Sequence, residues 1–119
     1  MKKERPVTKE RVLSSIGLSF RAGILTSGFD AVELAMRSGA AELLILSEDG
    51  SEKQKQKLKR VAKDEEVTIR TFAIAEELGR AIGKDQRIAI AILDPGMGSK
   101  LTGLIDELSK NEKAAGSAE

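Results

Sequence analysis

Three residues at the start of a short helical segment have types and spacing suited to binding anions or base edges. Ser27 and Asp30 form an S-x-x-D pattern, in which side-chain oxygens accept hydrogen bonds from free amides at a helix N-terminus. Gly28 lets another backbone approach closely, and the exposed amides and the helix dipole attract a phosphate or a base acceptor. Capping alone is the commoner role of such a pattern. Both interpretations place the chemistry in the first helical turn.

This segment, from Ser27 to Gly39, is predicted to be a helix with two distinct faces. A helical wheel groups four apolar residues toward the core: Phe29, Val32, Ala35 and Met36. Asp30, Leu34 and Arg37 fall on the opposite face, so a leucine is predicted to be exposed. A single exposed leucine is ordinary, and Leu34 therefore gains meaning only if that face binds a partner.

The segment "KQKQKLKR" is a second basic element. It carries Lys53, Lys55, Lys57, Lys59 and Arg60. These cations can contact rRNA phosphates, but "KDEE" follows and balances them, and spacing at every second residue spreads charge around a helix. A solvated helix face is therefore the favoured interpretation. "GMGSK" lacks the full spacing of a phosphate-binding loop and receives little weight.

Composition excludes several classes of protein. The 119 residues include no cysteine and no histidine, so a thiolate or imidazole zinc site and a serine–histidine relay are excluded. We therefore expect neither an enzyme nor a cofactor. Twenty Lys and Arg against 19 Asp and Glu give a net charge of +1, so any basic surface must be local. No segment approaches the roughly 20 apolar residues of a membrane span, and we expect a soluble, cytoplasmic protein without a membrane partner.

The elements that must position these residues alternate between helical and strand periodicity. Helices are predicted for Thr8 to Gly23, Ser27 to Gly39, from Ser51, for "AEELGRAIG", and after a "DPG" turn. Strands are predicted for Leu43 to Leu46, "VTIRTFA" and "RIAIAIL". This alternation predicts an α/β fold, with a mixed or parallel sheet covered by helices on both faces. We divide the chain into an N-terminal extension (1–7), a single domain (8–109) and a disordered C-terminal tail (110–119).

Three separated segments carry a resemblance to a known family: "IGLSFRAGILTSG", "AVELAMRSGAAELLILSED" and "AEELGRAIGKDQRIAIAILDPG". In content, order and spacing the chain resembles the ribosomal-protein superfamily of the archaeal L-seven-Ae and eukaryotic L-thirty-e proteins, most closely its short bacterial YlxQ-like members. The resemblance covers about Val12 to Leu104. It implies a three-layer α-β-α sandwich around a small mixed sheet. It also implies ribosome-associated binding of kink-turns or related bent RNA loops, without enzymatic activity.

The resemblance further implies where RNA binds. The family uses the N-terminal half of the helix that begins at Gly28, together with the loop that here contains Thr71 to Ala75. Its helix motif places asparagine, glutamate and lysine where this chain has Asp30, Ala31 and Leu34. Bacterial relatives also commonly place lysines at the positions occupied here by Ile24, Leu34, Ala40 and Glu42. Gly28 matches the glycine of the family motif, whereas the polar side chains that would contact RNA bases and the lysines are absent.

Two functions from different classes follow from these residues. The first is binding of structured RNA, a kink-turn or rRNA, with altered or weakened recognition because each lost phosphate contact lowers a salt-dependent affinity term. The candidate RNA-binding residues are Arg21, Thr26, Ser27, Gly28, Phe29, Asp30, Leu34, Arg37, Phe72, Ala73 and Ile74. The alternative is a protein–protein interaction module on the same scaffold. In that case exposed Leu34, with Ile24 and Ile74, would have to form one contiguous apolar patch.

Overall fold

A mixed sheet lies at the centre of the structure, a computed structural model that describes residues 6–117. The described strands are β1 (Leu25–Ser27), β2 (Leu43–Leu46), β3 (Thr68–Thr71) and β4 (Ala89–Ile92), in the order β1-β4-β2-β3. Strand β4 is antiparallel to β1 and β2, whereas β2 and β3 are parallel. The carboxyl ends of β1, β2 and β3 therefore lie together with the amino end of β4. We call this region the carboxyl end of the sheet.

Helices cover both faces of the sheet. The described helices are α1 (Lys9–Arg21), α2 (Phe29–Arg37), α3 (Glu52–Asp64), α4 (Ala75–Ala81) and α5 (Pro95–Ser117). Helices α1, α4 and α5 share one buried cluster with Leu43 and Ile45, whereas α2 and α3 share the other with Leu44 and Leu46. Successive side chains of β2 thus point to opposite faces, as strand geometry requires. The structure confirms the predicted three-layer α-β-α sandwich with a small mixed sheet.

Strand β1 is an element that the sequence does not predict, because three residues are too few to show alternation. It is an outer strand, held by pairing with β4 from Leu25 opposite Ile92 to Ser27 opposite Ile90. Ser27 therefore ends a strand, and Gly28 is the residue that caps α2, without a side-chain hydrogen bond. The Ser27 hydroxyl accepts a hydrogen bond from Arg87 Nε at 3.2 Å. The predicted capping role of Ser27 is wrong.

Both ends of α5 also differ from prediction. The predicted "DPG" turn begins the helix: Asp94 Oδ2 accepts a hydrogen bond from Met97 N at 2.8 Å, and Pro95 occupies the first helical position. The helix then continues to Ser117, through most of the segment predicted to be disordered. Alanine and lysine are favourable helix residues, and they extend a helix already nucleated by core packing. Residues 118–119 lie outside the described chain.

The predicted N-terminal extension falls largely outside the described chain too, since residues 1–5 are not described. Val7 is buried in the cluster beneath α1, and the Thr8 hydroxyl accepts a hydrogen bond from Arg11 N at 3.1 Å. The described part of this segment therefore leads directly into the capped start of α1. Within residues 6–117, no helix is both long enough and apolar enough to cross a membrane.

Candidate RNA-binding surface

The carboxyl end of the sheet brings together segments that are distant in the chain. Gly28 N donates a hydrogen bond to Ala89 O at 3.0 Å, joining the start of α2 to β4. Glu48 N donates to Ala73 O at 2.8 Å, joining the loop after β2 to the loop after β3. Buried Lys55 fixes the loop after β2 as well, since its Nζ donates to Ser47 O at 3.1 Å. Helices α2, α3 and α4 all begin from this hydrogen-bonded layer.

Gly28 has a backbone conformation that other residues rarely adopt, with φ 94° and ψ 155°. A side chain at this position would meet nothing within 4 Å, so glycine is required by conformation and not by space. Among residues 6–117 no side chain caps α2. The amides of its first turn therefore remain available to an external acceptor.

The outward face of α2 matches the prediction. Leu34 is 69 % exposed and Asp30 is exposed, while three residues of the helix are buried: Val32, Ala35 and Met36. Phe29 is partly buried against the same cluster. Arg37 Nε donates a hydrogen bond to Glu33 Oε2 at 3.0 Å, so the guanidinium predicted to contact phosphate is already engaged by a carboxylate.

The loop after β3 exposes only one of its three predicted side chains. Phe72 and Ala73 are 4 % and 1 % exposed and belong to the core, whereas Ile74 is 37 % exposed. Ala73 has φ 65°, which turns the backbone between β3 and α4. Phe72 was predicted to face a partner, but its ring packs inward because the large apolar side chain is stabilised by the core. Of these three side chains, only that of Ile74 is exposed to a ligand.

Two predicted residues lie apart from the first turn of α2. Arg21 ends α1 and lines a groove with Gly17 and Arg80, on the opposite face of the sheet from α2. Thr26 lies within β1, paired opposite Ala91. The structure therefore brings together Gly28, Phe29 and Asp30 with the end of β1, but it does not bring Arg21 to them.

Two apolar residues of the predicted patch, Ile24 and Ile74, are also separated from each other. Ile24 precedes β1 and Ile74 follows β3, and these are the two outer strands of the sheet. Three strand spacings, about 14 Å, separate the outer strands, and the two residues also lie at opposite strand ends. Ile24 and Ile74 therefore do not form one contiguous patch, and Leu34 is left as the exposed apolar residue of α2.

Comparison with known proteins identifies the family. The model of the ribosomal protein L7Ae/L30e/S12e/Gadd45 family matches residues 10–102. The chain belongs to this family. It is 34 % identical over 91 residues to the RNA-binding protein YlxQ of Bacillus subtilis, covering 76 % of this chain and 91 % of the relative. It is 32 % identical over 94 residues to the large ribosomal subunit protein eL30 of Tetrahymena thermophila, covering 77 % and 90 %.

Solved structures share the fold of this L7Ae/L30e-family protein. A protein of unknown function from Bacillus halodurans superposes with a TM-score of 0.77 at 36 % identity, covering 81 % of this chain and 97 % of that one. The Giardia lamblia 15.5kD RNA binding protein superposes with a TM-score of 0.68 at 19 % identity, covering 83 % and 88 %. The predicted superfamily and the similarity to YlxQ proteins are confirmed.

One residue near the candidate surface of this L7Ae/L30e-family protein was not predicted to belong to it. Lys57 Nζ of α3 lies 5.4 Å from the centroid of the Phe29 ring and 3.9 Å from Glu33 Oε1. A cation from α3 therefore stands beside the first turn of α2. The sequence gives no local signal for this contact, because it depends on how two helices pack. Among residues 6–117 no cluster of three or more His, Cys, Asp or Glu residues is arranged to hold a metal ion.

Proposed function

We propose that this family member binds structured RNA in the cytoplasm as a ribosome-associated module, with weakened recognition of kink-turns. The observation that carries the proposal is the start of α2, where Gly28 has φ 94° and no side chain caps the helix. Relatives named as an RNA-binding protein and as a large ribosomal subunit protein support it. The proposed activity is binding, without catalysis and without a cofactor.

The proposed contact is made by backbone groups. The first turn of a helix presents unpaired N–H groups and the positive end of the helix dipole, and both favour a phosphate oxygen or a base acceptor. Exposed Asp30 adds an acceptor for the N–H groups of a guanine edge. The loop after β3 lies at the same end of the sheet, where the exposed Ile74 side chain can contact the RNA, because the Ile74 and Ala75 amides already donate to Glu77 and Asp49.

The weakening is expected from the side chains around this backbone. Leu34 cannot neutralise a phosphate, whereas the helix motif of the family has a lysine at this position. Arg37 is already engaged by Glu33. Each phosphate contact contributes a slope of about 0.7 to 0.9 in the logarithm of affinity against the logarithm of salt concentration. Losing such contacts lowers the affinity most at cell-like salt.

The alternative is a protein-interaction module on the same scaffold. The 69 % exposure of Leu34 is the observation that favours it. A protein partner needs a contiguous apolar patch, and Ile24 and Ile74 lie at opposite edges of the sheet, so the three residues do not form the predicted patch. RNA binding is therefore the function that the geometry supports better.

A titration tests the proposed function. Fluorescence anisotropy of a labelled kink-turn RNA should show weak binding to the wild-type protein that decreases as salt is raised. Leu34→Lys should tighten binding and steepen the slope of log affinity against log salt concentration by about 0.7 to 0.9. Ser99→Lys, which adds the same charge on α5 across the sheet, is the matched control and should change the affinity little.

The decisive comparison is between the wild-type protein and Leu34→Lys. If the wild-type protein shows no salt-sensitive binding while Leu34→Lys acquires it, this chain has the scaffold of an RNA-binding protein but not the activity. The protein-interaction alternative would then become the preferred function.

A further inference from the structure

The exposed face of α3 carries an ordered row of cations. Lys53, Lys57 and Arg60 are exposed and are spaced i, i+4, i+7, which places them within about 60° of one another around the helix axis. The sequence predicted that these charges would be spread around the helix. Lys55 is instead buried and Lys59 is partly buried, so the remaining cations share one face. We call Lys53, Lys57 and Arg60 the α3 cation row.

The α3 cation row adjoins the start of α2. Its central member, Lys57, lies 5.4 Å from the ring centroid of Phe29, the residue that follows Gly28. Helices α2 and α3 pack on the same face of the sheet, and both begin at its carboxyl end. Lys53 lies in the first turn of α3 and Arg60 nearly one turn beyond Lys57, so the row extends to both sides of the Phe29 contact.

The charge of the row is only partly balanced. Glu33 faces Lys57 at 3.9 Å but is also engaged by Arg37 at 3.0 Å. Glu52, at the start of α3, pairs with Lys55 at 3.1 Å, outside the row. Asp64 lies on the same face one turn beyond Arg60, and Lys63 lies beside it. Within residues 6–117 neither Lys53 nor Arg60 takes part in an ion pair, so a positive surface remains beside α2.

We infer that the α3 cation row binds the sugar–phosphate backbone of the RNA that contacts the first turn of α2. This inference rests on the proposed function and adds the surface that attracts the negatively charged RNA backbone. Lys53 and Arg60 are seven residues apart, which is about 10 Å along a helix. A row of this length can contact successive phosphates of one strand. Cations of α3 thus take the place of the lysine that is absent at Leu34 of α2.

Paired double variants test the inference. Lys53→Gln/Arg60→Gln removes two charges of the row and leaves Lys57, which contacts Phe29, in place. Lys100→Gln/Lys110→Gln removes two exposed charges from α5, on the other layer of the sandwich. Glutamine has a helix propensity close to those of lysine and arginine, so both variants should fold, which circular dichroism and thermal melting verify.

The readout is RNA affinity as a function of salt. The α3 variant should reduce the slope of log affinity against log salt concentration by about 1.4 to 1.8. Compared with any loss of affinity at molar salt, its loss at cell-like salt should be about ten- to thirtyfold larger. The α5 variant should stay close to the wild-type protein. Amide chemical shifts should change on RNA addition both at Gly28 and along the exposed face of α3.

The outcomes separate the inference from the proposed function. If the wild-type protein binds RNA with a salt dependence and shifts at Gly28, but the α3 and α5 variants behave alike, the inference is overturned and the proposed function stands. If the wild-type protein shows no salt-sensitive binding, the proposed function is overturned and the inference falls with it.

Discussion

At the scale of single residues, Gly28 and Leu34 carry different kinds of information about one helix. The amides that follow Gly28 belong to the backbone, so they persist whatever side chains the helix carries. The Leu34 side chain is 69 % exposed and is not part of the core. Its effect is on surface charge, because the position is uncharged where the resembled helix motif has a lysine. A backbone contact with altered side chains around it predicts binding that is retained with lower affinity and specificity.

The conformation of Gly28 leads to a stability prediction. Gly28→Ala should lower the free energy of unfolding by about 1 to 3 kcal/mol, because alanine is strained in this region of backbone space. The added methyl group meets nothing within 4 Å, so the loss is conformational and not steric. Urea unfolding measures the change.

Gly103→Ala is the matched control, because Gly103 lies within α5 and its added methyl group also meets nothing within 4 Å. This variant should raise the free energy of unfolding by about 0.5 to 1 kcal/mol, since alanine is the better helix residue. Equal effects of the two substitutions would show that the Gly28 conformation is not what the protein requires.

At the scale of elements, the sequence predicted what depends on periodicity and missed what depends on packing. The two faces of α2 followed from the 3.6-residue period, and the strands at Leu43–Leu46 and Ala89–Ile92 followed from continuous apolar runs. Strand β1 was missed because its pairing with β4 defines it. The inward direction of Phe72 and the contact of Lys57 with Phe29 were missed because each depends on a neighbouring element.

One ion pair joins two helices and predicts a pH dependence. Glu77 of α4 accepts a hydrogen bond from Ile74 N at 3.0 Å and pairs with Lys9 of α1 at 3.1 Å. The Ile74 amide, and after it Lys9, lower the pKa of Glu77 from its ordinary value of 4.5. Since the folded pKa lies below the unfolded one, this stabilisation is complete above pH 4.5 and is lost as the pH falls from that value through the lower folded pKa.

Glu77→Gln should therefore lower the free energy of unfolding at neutral pH and flatten its decline in acid. Urea unfolding at a series of pH values measures both effects. Glu107→Gln, an exposed substitution on α5, is the control and should reproduce the wild-type decline. A Glu77→Gln curve parallel to that of the wild-type protein would show that this carboxylate does not couple folding to pH.

At the scale of the whole molecule, we expect the two helical layers to have separate roles. Helices α2 and α3 carry the candidate surface, whereas α1, α4 and α5 cover the other face of the sheet. The net charge of +1 does not indicate this division, because it sums over the whole chain whereas the α3 cation row is local. The sequence alone favoured a solvated helix with its charges spread around it, whereas in the folded chain Lys53, Lys57 and Arg60 share one exposed face beside α2.

Truncation tests this division of roles. Removing residues 110–119 deletes the described end of α5 and takes away Lys110, Lys113, Glu112 and Glu119, which leaves 18 basic and 17 acidic residues and an unchanged net charge of +1. The salt slope for RNA binding should stay at the wild-type value, because the truncation leaves the net charge and the α3 cation row unchanged, even though Glu112 lines a groove with Phe72 and Ala73 of the loop after β3. Circular dichroism should show a smaller helical signal. A reduced salt slope would instead assign RNA contact to the end of α5 and contradict a binding surface confined to α2, α3 and the loop after β3.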